Sequence, residues 1–441
     1  MALDSSTLDA LRGDFPALAR MRRGKPPIYL NNTCMTLRPQ PVIDALVRYY
    51  SEFPTCGGGR AGRNQRVHNW FLEELAEHEH EARGTVQKLL GAATQDEIVW
   101  TRNTSEALNI VAHGLDLQPG DEVLGTEREH NSNLVPWLEV ERRLRERAGD
   151  PKLVVRRHVD VAEDGSFDRA AFLAAITPKT KVVALGHASN LDGTVLSDED
   201  VRAVAARIHE VGGVLVLDAA QSVPHRAIDV QALGVDFLAC SFHKMCGPTM
   251  GALYGRLERL NTLRPFIVGG DTVADTWQDR VVYKEAPERF EAGLQNYAGM
   301  LGVTAAIRYV TETVGLDAIR AHEHRLNAVL TERLQPLTCE HFWLLGPEDA
   351  SRRGGVCTMT SGSGAIINAI ERLADEEHNI MVRKGMFCVN AYLHKRFDHL
   401  GSSKNNLRAS VYFYNTVEEC ERLCDVVERV VKNPFDYFDD E

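Results

Sequence analysis

The chain has 441 residues, 44% of them apolar and 25% charged, with a formal net charge of −12. That balance suits a folded protein with one large core and a smaller companion domain, and the negative charge argues against a nucleic-acid or anionic-membrane surface. Nine cysteines are scattered without a CxxC pair, no apolar run approaches membrane-span length, and residues 1–20 lack the apolar centre of a secretion signal. A cytoplasmic protein with reduced thiols and neither a membrane nor a nucleic-acid partner is therefore expected.

Leu8, Leu11, Phe15 and Leu18 predict a short helix folded onto the body. Residues 28–32 read as a brief strand entering a turn, and 41–53 as a helix with Pro41 near its start. Residues 55–64 hold four glycines among ten. They read either as a surface linker or as a loop at the substrate entrance or dimer interface, where Arg60 or Arg63 meets an anion. An amphipathic helix follows over 65–90, stopped at Gly91. Within it, His78-Glu79-His80 is too close-set to put two metal ligands on one face, which predicts a solvated patch and no metal.

From about 95 to 255 strands and helices alternate. Strands are expected at 97–101, 121–125, 153–159, 181–186, 214–218 and 236–241, with helices from 106, over 167–175 and over 198–210. This predicts a mainly parallel sheet with helices on both faces. Thr104, His130, Asn190, Asp218 and Lys244 all fall at or just after strand ends, where open α/β sheets bind ligands. Thr104 and Ser105 at a helix start offer hydroxyls and free N–H groups to a phosphate, although the same residues serve as ordinary caps. Lys244 sits among Leu238, Ala239, Phe242 and Met245. Desolvation there favours the free amine, which can form a Schiff base with an aldehyde. Asp218 ends a buried-looking strand upstream of it. An acid for a ring nitrogen and a Schiff-base lysine are the minimal equipment for pyridoxal 5′-phosphate (PLP).

Asp218-Ala219-Ala220-Gln221 together with Ser241-Phe242-His243-Lys244 resembles the class V aminotransferase family of fold-type I PLP enzymes, and within it the SUF-type cysteine desulfurases and selenocysteine lyases. The likeness runs from about 29 to 430. It implies an α/β fold with a seven-stranded-type sheet and a smaller C-terminal α+β domain. The expected division is an N-terminal segment 1–30 packing with the small domain, a PLP-binding domain 31–304 and a small domain 305–441. It further implies that Lys244 carries PLP, Asp218 faces its ring nitrogen and Gln221 its phenolic oxygen. Thr104, Ser105, Ser241 and His243 complete the cofactor set. His130 stacks on the ring and serves as acid or base, and Asn190 touches the cofactor hydroxyl or the substrate carboxylate.

Two C-terminal stretches extend the resemblance. Arg383-Lys384-Gly385-Met386-Phe387-Cys388 is similar to the element carrying the desulfurase nucleophile, with Arg383 and Lys384 placed to favour the Cys388 thiolate. Arg408-Ala409-Ser410 is similar to the element whose arginine forks onto the amino-acid carboxylate. In 290–296, Leu294-Gln295 stands where the family has Thr-Pro, whose threonine region reaches the neighbouring subunit's phosphate. A homodimer is still implied. The expected activity is cysteine desulfuration, of L-cysteine or a related sulfur or selenium amino acid, giving alanine and a persulfide on Cys388, with a sulfur-acceptor protein as partner. Met386 and Phe387, where SUF-type members often carry histidines, leave open a C–S lyase, an epimerase or an aminotransferase that does not use Cys388. A non-catalytic sulfur-carrier-binding protein is disfavoured by the intact Lys244, Asp218 and His130.

Overall fold

A computed structural model describes residues 3–56 and 70–437. The glycine-rich stretch with Arg60 and Arg63, and the predicted helix start at 65, lie outside the described residues. The first helix is α1 (Ser5–Gly13), capped by the Asp4 side chain on the Thr7 N–H. Leu8 and Leu11 are buried, and Phe15 packs on the rings of Tyr309, Phe413 and Tyr414. β1 (Ile28–Tyr29) runs parallel to Ile380–Met381 near the other end of the chain.

α2 (Gln40–Glu52) and α3 (Trp70–Leu90) lead into the main sheet. The patch read as solvated is largely a seam: half-buried His78 stacks on Phe53 at 5.2 Å and Glu79 faces Arg83, leaving His80 to water. Periodicity marks a helix's inner face, but not which outer positions a neighbouring loop will cover.

Seven strands follow: β2 (Ile98–Thr101), β3 (Glu122–Thr126), β4 (Arg156–Val159), β5 (Thr180–Gly186), β6 (Val214–Asp218), β7 (Phe237–Ser241) and β8 (Gly251–Gly255). They line up as β2-β8-β7-β6-β5-β3-β4. β8 is antiparallel to both its neighbours and the remaining pairs are parallel. The link from β7 to β8 contains the lysine turn and is too short for a parallel crossover, so the chain doubles back. β6 and β7 are buried at every position, as expected for strands covered on both faces. The cover comes from α4 (Thr104–Gly114), α5 (Asn131–Ala148), α6 (Arg169–Ala175), α7 (Asp198–Glu210), and the single turns α8 (Val230–Leu233) and α9 (Leu257–Leu260). One core face carries Leu215, Leu217 and Leu238, the other Val214, Val216 and Phe237.

After the hairpin of β9 (Val273–Thr276) and β10 (Val281–Tyr283), α10 (Tyr297–Arg308) packs on α2 and α3. α11 (Leu316–Leu334) then leads to a second sheet of β11 (Phe342–Leu345), β12 (Val356–Ser361), β14 (Arg383–Lys384) and β15 (Asn406–Ser410), with β13 (Ile380–Met381) set apart on β1. Its order is β11-β12-β15-β14, all antiparallel. α12 (Gly364–His378), α13 (Asn390–Phe397) and α14 (Val417–Lys432) accompany it. Ile28 and Leu30 share this second core with Leu326, Ile370, Leu407 and Val427.

Candidate active site

Thr104, Ser105, His130, Asn190, Asp218, Gln221, Ser241, His243, Lys244, Cys388 and Arg408 all line one cavity of about 610 Å³ between the two sheets. Its floor is made of strand ends. Asp218 and Ser241 are the last residues of β6 and β7, and Lys244 ends the 3-10 turn that follows. That turn is closed by the Met245 and Gly247 N–H groups, both donating to the Phe242 carbonyl at 2.8 and 2.9 Å. Thr36 locks it from outside: its Oγ1 accepts from the Cys246 N–H at 2.7 Å, and its N–H donates to the His243 carbonyl at 3.1 Å.

α4 begins two residues earlier than the periodicity suggested, because Asn103 rather than Ser105 is its cap, accepting from the Glu106 N–H. Thr104 and Ser105 therefore stand on the first helical turn. Thr104 gives its N–H to the Ser241 hydroxyl at 2.8 Å, and the two hydroxyls lie 2.6 Å apart. Ser105 shares a hydrogen bond with Ser132. This close approach needs Gly251 on β8, where a Cβ would meet Asn103 backbone atoms at 2.8 Å.

The charges are shaped by burial. Desolvation lowers the Lys244 pKa, opposed by the Asp218 carboxylate, so the amine is nearer its nucleophilic form. Desolvation pushes Asp218 up to about 6, with the Ala220 N–H and Lys244 pulling the other way. His130 caps α5, its Nδ1 accepting from the Ser132 N–H at 3.0 Å. Burial, Lys244 and Arg408 bring it down to about 4, so it is a neutral ring with its proton on Nε2. Behind it, buried Glu129 accepts from Thr126, Asn133 and the Gly186 N–H. One carboxylate thus ties together β3, α5 and β5.

The roof is the 385–388 loop with Arg408. Phe387 and Cys388 both have left-handed backbones, φ +51° and +59°, a conformation disfavoured for residues with a Cβ. Two bonds to the floor hold it: Asn190 Nδ2 donates to the Phe387 carbonyl and the Asn131 N–H to the Cys388 carbonyl, each at 2.7 Å. The exposed Cys388 thiol is left facing the cavity. Arg408 lies on β15, which has a neighbour on either side. It is 4% exposed and pushed down to about 10 by burial. Nη1 donates to the Asn190 carbonyl at 2.7 Å, the guanidinium lies over the Phe387 ring at 4.5 Å, and Nε has no partner. Arg383 reaches the cavity as expected. Lys384 does not: alternation on β14 turns it away, onto Glu371 at 2.6 Å and Asn368.

The arrangement also contains residues the sequence reading passed over. Glu129 has no sequence signal beyond its place before His130. Cys34 lines the cavity from the turn after β1, where Gln221 Nε2 donates to the Thr33 carbonyl at 2.8 Å. The only sequence signal for Cys34 was its place in a turn entering the site.

The pattern of the Aminotransferase class-V family matches residues 28–423. The chain belongs to that family. Over 441 residues it is 35% identical to a probable cysteine desulfurase 2 of Mycobacterium leprae, covering 98% of each chain. It is 36% identical to a probable cysteine desulfurase of Streptomyces coelicolor, covering 96% of each. The apo cysteine desulfurase of Thermococcus onnurineus superposes with a TM-score of 0.84 at 33% identity, over 98% of this chain and 100% of that one.

The family's cofactor is PLP, and the residues present fit it. The start of α4 and the hydroxyls of Thr104, Ser105 and Ser241 suit a phosphate. The His243 Nδ1 beside them is buried without a partner, an orphan that an anion would satisfy. Asp218, Gln221 and the flat His130 ring surround the space next to Lys244.

Proposed function

We propose that the protein is a PLP-dependent cysteine desulfurase that converts L-cysteine to alanine and leaves the sulfur as a persulfide on Cys388. The observation that carries this reading is Cys388 itself, held in a left-handed backbone on the roof of the cavity that contains Lys244. Bound at Lys244, PLP supplies an electron sink for the substrate's Cα. Asp218 would hold a proton at the ring nitrogen. The remaining amide hydrogen of Gln221 would serve the phenolic oxygen, and the neutral His130 ring would stack on the flat cofactor.

Arg408, with Asn190 behind it, binds the substrate carboxylate and sets the Cα–H toward the Lys244 amine. Freed when the substrate amine takes its place, Lys244 moves the proton at Cα, and the Cys388 thiolate attacks the substrate sulfur. The carbon–sulfur bond breaks, its electron pair stays with the carbon fragment, and protonation of that fragment completes alanine.

The division at 1–30, 31–304 and 305–441 goes with this reading, supported by Ile28 and Leu30 lying in the second core. So do a homodimer, a cytoplasmic setting and a protein that accepts the persulfide sulfur. Among the described residues no helix is long and apolar enough to cross a membrane. The test is incubation of the PLP-loaded protein with a panel of amino acids, assaying alanine, sulfide and keto acid together. Alanine matching the sulfur transferred from cysteine is expected; keto acid with free sulfide would refute desulfuration.

A further inference from the structure

The cavity holds two thiols. Of the nine cysteines, Cys240, Cys246, Cys357, Cys420 and Cys424 are buried in the cores, and Cys56 and Cys339 are exposed elsewhere. Cys34 and Cys388 are exposed and both line the active-site cavity.

β15 organises both. Its Ser410 hydroxyl accepts from the Thr33 N–H at 3.0 Å, while the Ser410 carbonyl accepts from Asn32, fixing the turn on which Cys34 stands. Arg408, two residues earlier and on the same side of the strand, stacks on Phe387 next to Cys388. The two thiols thus share their cavity with a buried guanidinium whose Nε has no partner. Both sulfurs act electrostatically on Arg408 and on Lys244. A sulfur anion on either cysteine is therefore formed in a cavity that already holds a buried, incompletely bonded cation.

We propose that Cys34 is a second sulfur carrier, which takes the sulfane sulfur from Cys388 inside the cavity. The step rests on the desulfurase reading above. The Cys34 thiolate attacks the outer sulfur of the Cys388 persulfide. A new sulfur–sulfur bond forms on Cys34, the old one breaks, and Cys388 leaves as a thiolate. One sulfur and its proton change owner, and nothing is oxidised or reduced overall. The persulfide adds about 2 Å of reach to Cys388. The transfer returns Cys388 to its nucleophilic state while the first sulfur still awaits an acceptor, so one chain stores two.

The experiment treats PLP-loaded wild type, C34S and C388S with excess L-cysteine without reductant, alkylates, and maps added sulfur by peptide mass. In the wild type both the Cys34 and Cys388 peptides are expected to gain one sulfur. C34S should gain it on Cys388 alone, halving the sulfur stored per chain, and C388S on neither. A wild type that produces alanine and loads Cys388 while its Cys34 peptide stays unmodified would overturn the relay and leave the desulfurase reading standing. Loading of Cys34 in C388S would also overturn it, since Cys34 would then take sulfur straight from substrate. No alanine and no sulfur on any chain would sink both readings together. A cofactor-independent check is a limiting amount of an aromatic disulfide reagent. Wild type should discharge the reagent from Cys388 as a Cys34–Cys388 disulfide, and C34S should retain it.

Discussion

The floor and the roof of the cavity are built differently. The floor stands on strand ends buried on both faces, and its key groups are shifted by loss of water: Lys244 lowered, Asp218 raised to about 6, His130 lowered to about 4. The roof is a short loop with Phe387 and Cys388 in a left-handed conformation, tied to the floor by two hydrogen bonds and covered by one guanidinium–ring contact. The floor is made to hold a group in one place. The roof carries an exposed thiol, which in the proposed reaction meets a substrate and then gives up what it gained. Cofactor binding and sulfur transfer are thus assigned to separately supported parts of the fold, and substitutions should separate them.

The largest effect is expected on the floor. Lys244→Ala should abolish the absorbance of covalently held PLP and reduce alanine formation to background, checked by spectrum and by amino-acid analysis. Cys388→Ser should break the comparison in the opposite sense, retaining PLP and the spectral response to cysteine while losing most turnover. If sulfide were released from this variant at the wild-type rate, the roof would be idle and the protein a direct C–S lyase.

Arg408 joins the two regions, so its loss should be intermediate. Arg408→Ala should lower kcat/KM by about 2–3 kcal/mol, the scale of a charged hydrogen bond. Arg408→Lys should recover little, because an ammonium reproduces neither the fork nor the stacking on Phe387. PLP content should stay near wild type in both. Near-normal kinetics would move the carboxylate site elsewhere, with Arg383 next in the cavity.

The smallest effect is on pH-dependent stability in the cofactor-free protein. His130, His243 and His187 have folded pKa values of about 4, 4 and 3 against 6.5. The unfolded chain therefore binds more protons below 6.5, and their contribution to stability falls as pH drops from 6.5 toward 4. Asp218, raised from 3.8 to about 6, acts in the opposite direction: its folded form holds a proton the unfolded form has lost, so its contribution falls as pH rises from 4 to 6. Asp218→Asn should remove that opposing slope and make melting temperature rise more steeply between pH 4 and 6.5. An unchanged slope would mean that Asp218 is not desolvated.

Much of this was readable in the chain. The strand runs ending at Asp218 and Ser241, the lysine turn closed by Gly247-Pro248, and the strand–helix alternation are local patterns: apolar runs, helix starts and breakers act within a few residues. Such patterns place Thr104, His130, Asn190, Asp218 and Lys244 at strand ends, and a parallel sheet must gather its strand ends along one edge. Other facts depend on partners hundreds of positions away. Arg408 is a buried site cation rather than a surface one because β12 and β14 flank its strand. Lys384 is lost to the site because Glu371 lies on the far side of β14. Glu129 braces the floor only because Thr126, Asn133 and Gly186 converge on it.

Cys34 shows the division most sharply. By itself the sequence determined which residues have the chemistry a lysine-bound cofactor needs and in what order they occur, since that chemistry is written in residue type and short-range spacing. Only the tertiary structure decided that the turn after the first strand swings back to Ser410 and brings a second thiol into the cavity that Arg408 lines. A hydrogen bond between positions 33 and 410 leaves no trace in the periodicity of either segment.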